Sequence, residues 1–190
     1  MKATCALLAD TDVHNLIQKL AWEFHQNYRT GTLRLPPHVS LKQPFRVVNL
    51  VAMEGYMDSF ARSIQPFDVI LTRLDVVSSV YEGIEYGILW ADVQESAALR
   101  GLHNRLNNEL TRHFGPVPAE HDGESYHFHM TVMIGGQPIE VYRRFVSELE
   151  NPILDRSFTV RELAMFIYDE PLGQDSEYLC YKILPIGKSN

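Results

Sequence analysis

Two short strings, His38-Val39-Ser40-Leu41 and His129-Met130-Thr131-Val132, each set an imidazole two residues before a hydroxyl, with an apolar residue between them and another after. On a β-strand alternate side chains share a face. His38 is therefore expected beside Ser40 and His129 beside Thr131, with Val39, Leu41, Met130 and Val132 turned to a buried side. Two such strands meeting at one cleft suit an in-line displacement at phosphorus. One imidazole takes a proton from the entering oxygen and the other gives one to the leaving oxygen, roles that groups with a pKa of about 6.5 divide near neutral pH. The two hydroxyls can donate to the non-bridging phosphoryl oxygens, where charge grows in the transition state. Neither end of that reaction requires a metal or an organic cofactor.

Further residues near the two strings are candidates for holding a substrate. Lys42 continues the alternation of His38 and Ser40, so its ammonium either neutralises a phosphate or ends the strand in solvent. Phe45, Tyr86 and Tyr126 are aromatic platforms on which a base could stack, or else core filling. His127 shares a face with His129 and Thr131. A His-x-His pair on a strand is also a metal-binding geometry, so a rival reading is a metal hydrolase with His121, Asp122 or Glu124 as the third ligand. Against it stands His127 as a residue at the rim of the cleft, with the loop Gly115–Ser125 as a connection. His14, His25, His103 and His113 fall in helical segments without matching partners and read as structural or exposed. Arg100, Arg105 and Arg112 read as a solvated helix face.

Both strings need strands to present them, and the pattern around them supplies these. Ala3 to Ala9 is a short apolar run that predicts a buried strand. Val13, Leu16, Ile17, Leu20 and Phe24 recur at helical spacing behind a cap at Thr11 or Asp12. Thr30 to Pro37 is turn-rich and leads into His38. Residues 49–64 predict a second helix, then Phe67 to Val77 and Tyr86 to Val93 a pair of strands joined near Gly83. Ser96 to Phe114 predicts a long helix with Leu99, Leu102, Leu106 and Leu110 as its buried stripe. A strand over Tyr126 to Ile134, a helix over Pro138 to Leu149, and strands over Phe158 to Tyr168 and Tyr178 to Leu184 complete the order. The two histidines stand 91 positions apart in a chain of 190 residues. That midpoint spacing and the repeated order of elements suggest an internal duplication: one domain over 1–190, built of two lobes.

Composition narrows the partners. A 45% hydrophobic share can bury a sizeable core, and a formal charge of −7 argues against sequence-blind binding along duplex DNA, which rests on many Lys and Arg contacts to phosphates. A small anionic substrate asks only for a local positive pocket. No run of about 18 apolar residues predicts a membrane span, and the N-terminus reaches Asp10 too soon for a signal peptide. Cys5 and Cys180 alone make no disulfide framework. The chain is therefore expected to be cytoplasmic and, being compact, a monomer.

The paired strings resemble the His-x-Thr/Ser-x signatures of the 2H phosphoesterase superfamily, which includes 2′-5′ RNA ligase-like (LigT-like) proteins and 2′,3′-cyclic nucleotide phosphodiesterases. The first string runs on as HVSLKQPF, similar to the His-x-Thr-Leu-x-x-Pro-Phe form of its bacterial branches. Ser40 stands where Thr is commoner and keeps the hydroxyl. The resemblance implies an α+β, bilobed fold in which two antiparallel sheets form a central cleft with helices outside. It implies metal-independent catalysis by His38 and His129, with Ser40 and Thr131 holding the phosphate of a nucleotide or RNA terminus that carries a 2′,3′-cyclic phosphate or a 2′-5′ linkage. On the ligase-like pattern His129 activates water and His38 protonates the departing 3′ oxygen, although the two strings are too alike to fix that direction by themselves. The alternative within the same fold is a module that binds a nucleotide or RNA end with little turnover.

Overall fold

A computed structural model describes residues 1–30, 34–81, 84–119, 122–149, 152–168 and 177–187. In chain order the elements are β1 (Lys2–Leu8), α1 (Thr11–Tyr28), β2 (His38–Arg46), α2 (Leu50–Ser63), β3 (Asp68–Tyr81), β4 (Ile84–Val93), α3 (Ala97–Phe114), β5 (His129–Ile134), α4 (Ile139–Glu148), β6 (Ile153–Thr159), β7 (Glu162–Tyr168) and β8 (Tyr178–Pro185). Among the described residues, hydrogen bonding joins the eight strands into one antiparallel sheet, ordered β6-β3-β4-β5-β2-β1-β7-β8. The two strands that carry the histidines, β5 and β2, are neighbours at its middle. Where two sheets are expected there is one, because these two strands meet and pair at Val39 and Met130.

Local chemistry accounts for most element boundaries. Asp10, rather than Thr11 or Asp12, caps α1: its carboxylate accepts from the Val13 amide at 2.9 Å, satisfying one of the helix's free N–H groups. Asn49 and Ser96 do the same for α2 and α3. β5 begins at His129, three residues later than the apolar pattern suggests. Ahead of it the Tyr126 amide turns back to the Gly123 carbonyl, and Arg100 takes the Tyr126 carbonyl, so neither backbone group of Tyr126 is left for the ladder. The expected strand over Phe158 to Tyr168 is two strands, β6 and β7, on opposite halves of the sheet. They part at Val160 and Arg161, whose backbone groups bond to Phe67 and Ile186. The first of them, carrying Asp155 and Arg156 at the sheet edge, shows little of the alternation that marks a strand in sequence.

The helices bury their stripes on one face of the sheet, against Leu7, Val39, Leu41, Leu71, Leu89, Met130, Val132 and Leu163, in one continuous core. α1 packs against β5 and β6, and α3 packs against β2, so a helix from each half of the chain rests on strands of the other. Phe24 on α1 stacks on Tyr142 of α4 at 4.7 Å and meets Phe145 edge-on at 5.0 Å. Tyr142 in turn lies over Gly87, where an added Cβ would come within 2.1 Å of its ring. The other sheet face carries a smaller cluster, Ala6, Leu8, Ala164, Phe166 and Tyr168, and beside it the four motif residues. Among the described residues no helix is long and apolar enough to cross a membrane.

Candidate active site

The pairing of Val39 with Met130 sets the geometry of the site. In an antiparallel ladder it places His38 opposite Thr131 and Ser40 opposite His129. All four point to the face away from the core, while Val39 and Met130 are both fully buried beneath them. His38 and His129 are then diagonal neighbours, with Cβ atoms roughly 7 Å apart, a gap that two imidazoles can close on a single phosphate. Their electrostatic coupling is direct, since a charge on His129 disfavours one on His38.

Each motif strand is bulged just past its hydroxyl residue. In β2 the register against β1 slips between Ser40 and Lys42, and in β5 the register against β4 slips between Thr131 and Met133. The extra residues are Leu41 and Val132, the fourth of each string. A bulge reverses the alternation beyond it, so Leu41 and Lys42 are both buried, as are Val132 and Met133. That is why each string ends on an apolar residue, and why Lys42 does not follow His38 and Ser40 to the open face.

The two imidazoles are held in the same way. Nδ1–H of His38 donates to the Pro36 carbonyl at 2.8 Å, and Nδ1–H of His129 donates to the His127 carbonyl at 3.0 Å, each two residues back. A carbonyl can only accept, so both rings are fixed in the tautomer that leaves Nε2 available for proton transfer. The Phe166 ring meets His38 edge-on at 4.6 Å, and the Trp90 indole lies along His129 at 4.3 Å and 29°. Burial pulls the His38 pKa down to about 4, the Pro36 bond opposing and the charge on His129 adding to the shift. Burial lowers His129 less strongly. Its bond to His127 and the Asp92 carboxylate oppose the shift, and the His127 charge reinforces it.

The remaining candidates are placed differently. Lys42 is buried in an ion pair with Asp122, under the face of Phe45, so its charge is already answered within the protein. Phe45 is 1% exposed in the core and offers no face to a base. Tyr86 shares a face of β4 with Trp90 and Asp92 but lies four residues along from Trp90, roughly 13 Å at strand rise. Tyr126, 4% exposed, lies behind the site rather than at its mouth. There it stacks on His103 at 5.1 Å, nearly parallel, and receives a hydrogen bond from the Gln43 amide at 3.0 Å. His127 is exposed beside Trp90, and its Nε2–H donates to Asp92 Oδ1 at 2.7 Å. Of the third metal ligands weighed with it, Asp122 pairs with Lys42 and His121 lies outside the described residues. Among those described, no three His, Cys, Asp or Glu side chains converge as a metal-binding group.

Four residues at the site are not apparent from the strings themselves. Trp90 and Asp92 stand opposite Thr131 and His129 on β4; the mark in the sequence is a carboxylate within the otherwise apolar run LWADV. Phe166 reaches His38 from β7, two strands away, and no local pattern announces it. Gln43 is polar where the bulge has reversed the alternation. Arg100, expected on a solvated helix face, clasps the Gly123 and Tyr126 carbonyls and Glu95, fixing the loop that carries Asp122.

Residues 9–171 match the family model of the 2′-5′ RNA ligase superfamily. Among solved structures, the fold is similar to that of TT0787 from Thermus thermophilus, at 15% identity and a TM-score of 0.68 with both chains covered in full. It is also similar to E. coli LigT complexed with 3′-AMP, at 15% identity and a TM-score of 0.59, and to a structure described as a phosphoesterase, at 15% identity and a TM-score of 0.58, each covering 98% of both chains. No curated protein matches the sequence.

Proposed function

The chain belongs to the 2′-5′ RNA ligase superfamily, and on that premise we propose that it opens the 2′,3′-cyclic phosphate of a nucleotide or RNA end without a metal. The observation that carries this reading is the matched locking of His38 and His129 on neighbouring central strands, each with Nδ1 tied back and Nε2 free on one open face. Water enters on one side of phosphorus and gives its proton to one imidazole. The bond from phosphorus to a ribose oxygen breaks on the other side, and the second imidazole protonates that oxygen, leaving a phosphate monoester. Ser40 and Thr131 donate to the non-bridging oxygens, where they act most strongly in the transition state. With the 5′-hydroxyl of a second RNA end entering in place of water, and the bond from phosphorus to the 3′ oxygen breaking as before, the same groups form a 2′-5′ linkage. The stronger depression of His38 favours it as the proton acceptor and His129 as the donor, the reverse of the order that the family resemblance implies.

The bulge shared by the two motif strands, and the matching order of elements around them, support a single domain of two pseudo-symmetric lobes. We take it to work as a cytoplasmic monomer. Nucleotide binding in the LigT structures, among them the complex with 3′-AMP, supports a nucleotide or RNA end as the occupant of the cleft. The test is hydrolysis of 2′,3′-cyclic nucleotides and short RNAs ending in a cyclic phosphate, with the product identified as a 2′- or a 3′-phosphate. His38→Ala and His129→Ala are each expected to lower kcat by roughly 10²- to 10⁴-fold, the usual worth of a general acid or base. EDTA is expected to leave the rate unchanged. Tight binding of nucleotides with no product would replace the enzyme by a binding module of the same fold.

A further inference from the structure

The competent pair of imidazoles shares one proton, and the two rings have unlike surroundings. On β4 Trp90 stands opposite Thr131 and reaches its diagonal neighbour, His129. The ring centroids are 4.3 Å apart and the planes 29° from parallel. Van der Waals contact alone takes about 3.5 Å of that distance, so the two faces overlap. An indole face is electron-rich, and it attracts a cation lying within about 6 Å of its centroid more strongly than Tyr or Phe does. A charged ring at 129 is therefore favoured over a neutral one. His38 has no such partner, because Phe166 meets it at 69°. The other groups facing His129 do not supply the same preference. Asp92 attracts the charge from β4, but its two oxygens already accept from His127 Nε2 at 2.7 Å and Thr72 Oγ1 at 2.9 Å. His127 on the same strand and His38 on β2 repel it when they are charged. The Tyr126 centroid is 6.3 Å away, tilted by 44°, and burial keeps its phenol neutral. Burial itself opposes a charge on either imidazole.

We propose that Trp90 is a positioning residue for the acid: its indole face keeps the single proton of the pair on His129, where Nε2–H is free to reach the leaving oxygen. The inference rests on the two-histidine reaction proposed above and gives a separate ground for the direction stated there. Two strings alike in their own residues are thus made unequal by a side chain from a third strand.

The test follows the His129 ring of the full chain by nuclear magnetic resonance through its titration, the signals being assigned by their loss in His129→Gln. Trp90→Leu keeps an apolar side chain over the ring and removes the π face. It is expected to lower the His129 midpoint by about half to one and a half pH units, whereas Trp90→Phe retains most of the wild-type value. With 2′,3′-cyclic AMP as substrate, the alkaline limb of kcat/KM moves down by the same amount in Trp90→Leu. Where that variant folds poorly, fluorinated tryptophan can be incorporated into Trp22→Phe, Trp22 being the other tryptophan and exposed. Fluorine weakens the electron-rich face with little change of shape, so the His129 midpoint should fall with each atom added. A midpoint unchanged or raised in Trp90→Leu, or lowered as much in Trp90→Phe, would overturn the proposal and leave the two-histidine reaction standing. Absence of turnover on every cyclic phosphate would remove that reaction, and the role of Trp90 with it, whatever the titration shows.

Discussion

Burial around the two imidazoles decides how they divide their work. Both lose proton affinity on folding, His38 to about 4 and His129 by less, so the free protein reaches its competent one-proton state below the ordinary histidine range. The pH profile of kcat/KM is accordingly expected to be a bell with its maximum below about pH 6.5. It falls on the alkaline side as the remaining proton leaves the pair; a maximum well above neutrality would refute the burial argument. The division of roles has its own test in a substrate that needs no acid. With a nitrophenyl phosphodiester, whose leaving group departs unprotonated, His129→Gln should lose little and His38→Gln much; the opposite pattern would return His129 to the base. Lys42 and Asp122 make a third point at this scale. Breaking a buried pair strands the surviving charge and costs about 3–5 kcal/mol, so Lys42→Met alone should lower the denaturation midpoint sharply, while Lys42→Met with Asp122→Leu should recover most of it.

At the scale of elements, the site depends on where β2 and β5 touch. Met130 and Met57 are both fully buried methionines, and either replacement by Ala should cost about 2–5 kcal/mol. Only Met130 lies in the pair that sets the register of the four motif residues. Under conditions where both variants stay folded, Met130→Ala should therefore lose far more kcat than Met57→Ala; equal losses would show that the register does not depend on that contact. Much at this scale is legible in the sequence. The leucine stripe of α3 and the apolar run of β1 locate their elements, and the two His-x-Ser/Thr strings carry their own alternation. The bulges are not legible, because nothing in SLKQ or TVMI shows that one residue is left out of the ladder. Lys42 is misplaced for that reason, and Tyr126 because a turn at Gly123 and the side chain of Arg100, 26 residues earlier, hold its backbone out of the strand. β6 escapes notice as a charged edge strand that takes its order from β3.

For the whole molecule, the buried histidines tie stability to pH. His38, His103 and His129 all have folded values below the unfolded one. Between the unfolded value of about 6.5 and the folded value of His38, the unfolded chain binds more protons, so stability rises with pH through that range. Their contribution is complete above about pH 6.5 and is lost as the pH falls toward 4. The urea midpoint should decline over this window, and His38→Gln should flatten the decline; an unchanged slope would mean that His38 is not desolvated. The order of elements and the midpoint spacing of the strings make the alternating plan of the fold readable from sequence. The joining of the strand groups β6-β3-β4-β5 and β2-β1-β7-β8 into one sheet is not, because it rests on the single pair Val39–Met130. The most direct test of the central claim is a crystal structure with a nucleoside cyclic vanadate, a mimic of five-coordinate phosphorus. It should place one vanadium between the two rings, with Nε2 of His38 and Nε2 of His129 each about 3 Å from an oxygen on opposite sides. Vanadate held by one histidine alone, or seated away from both, would contradict the account.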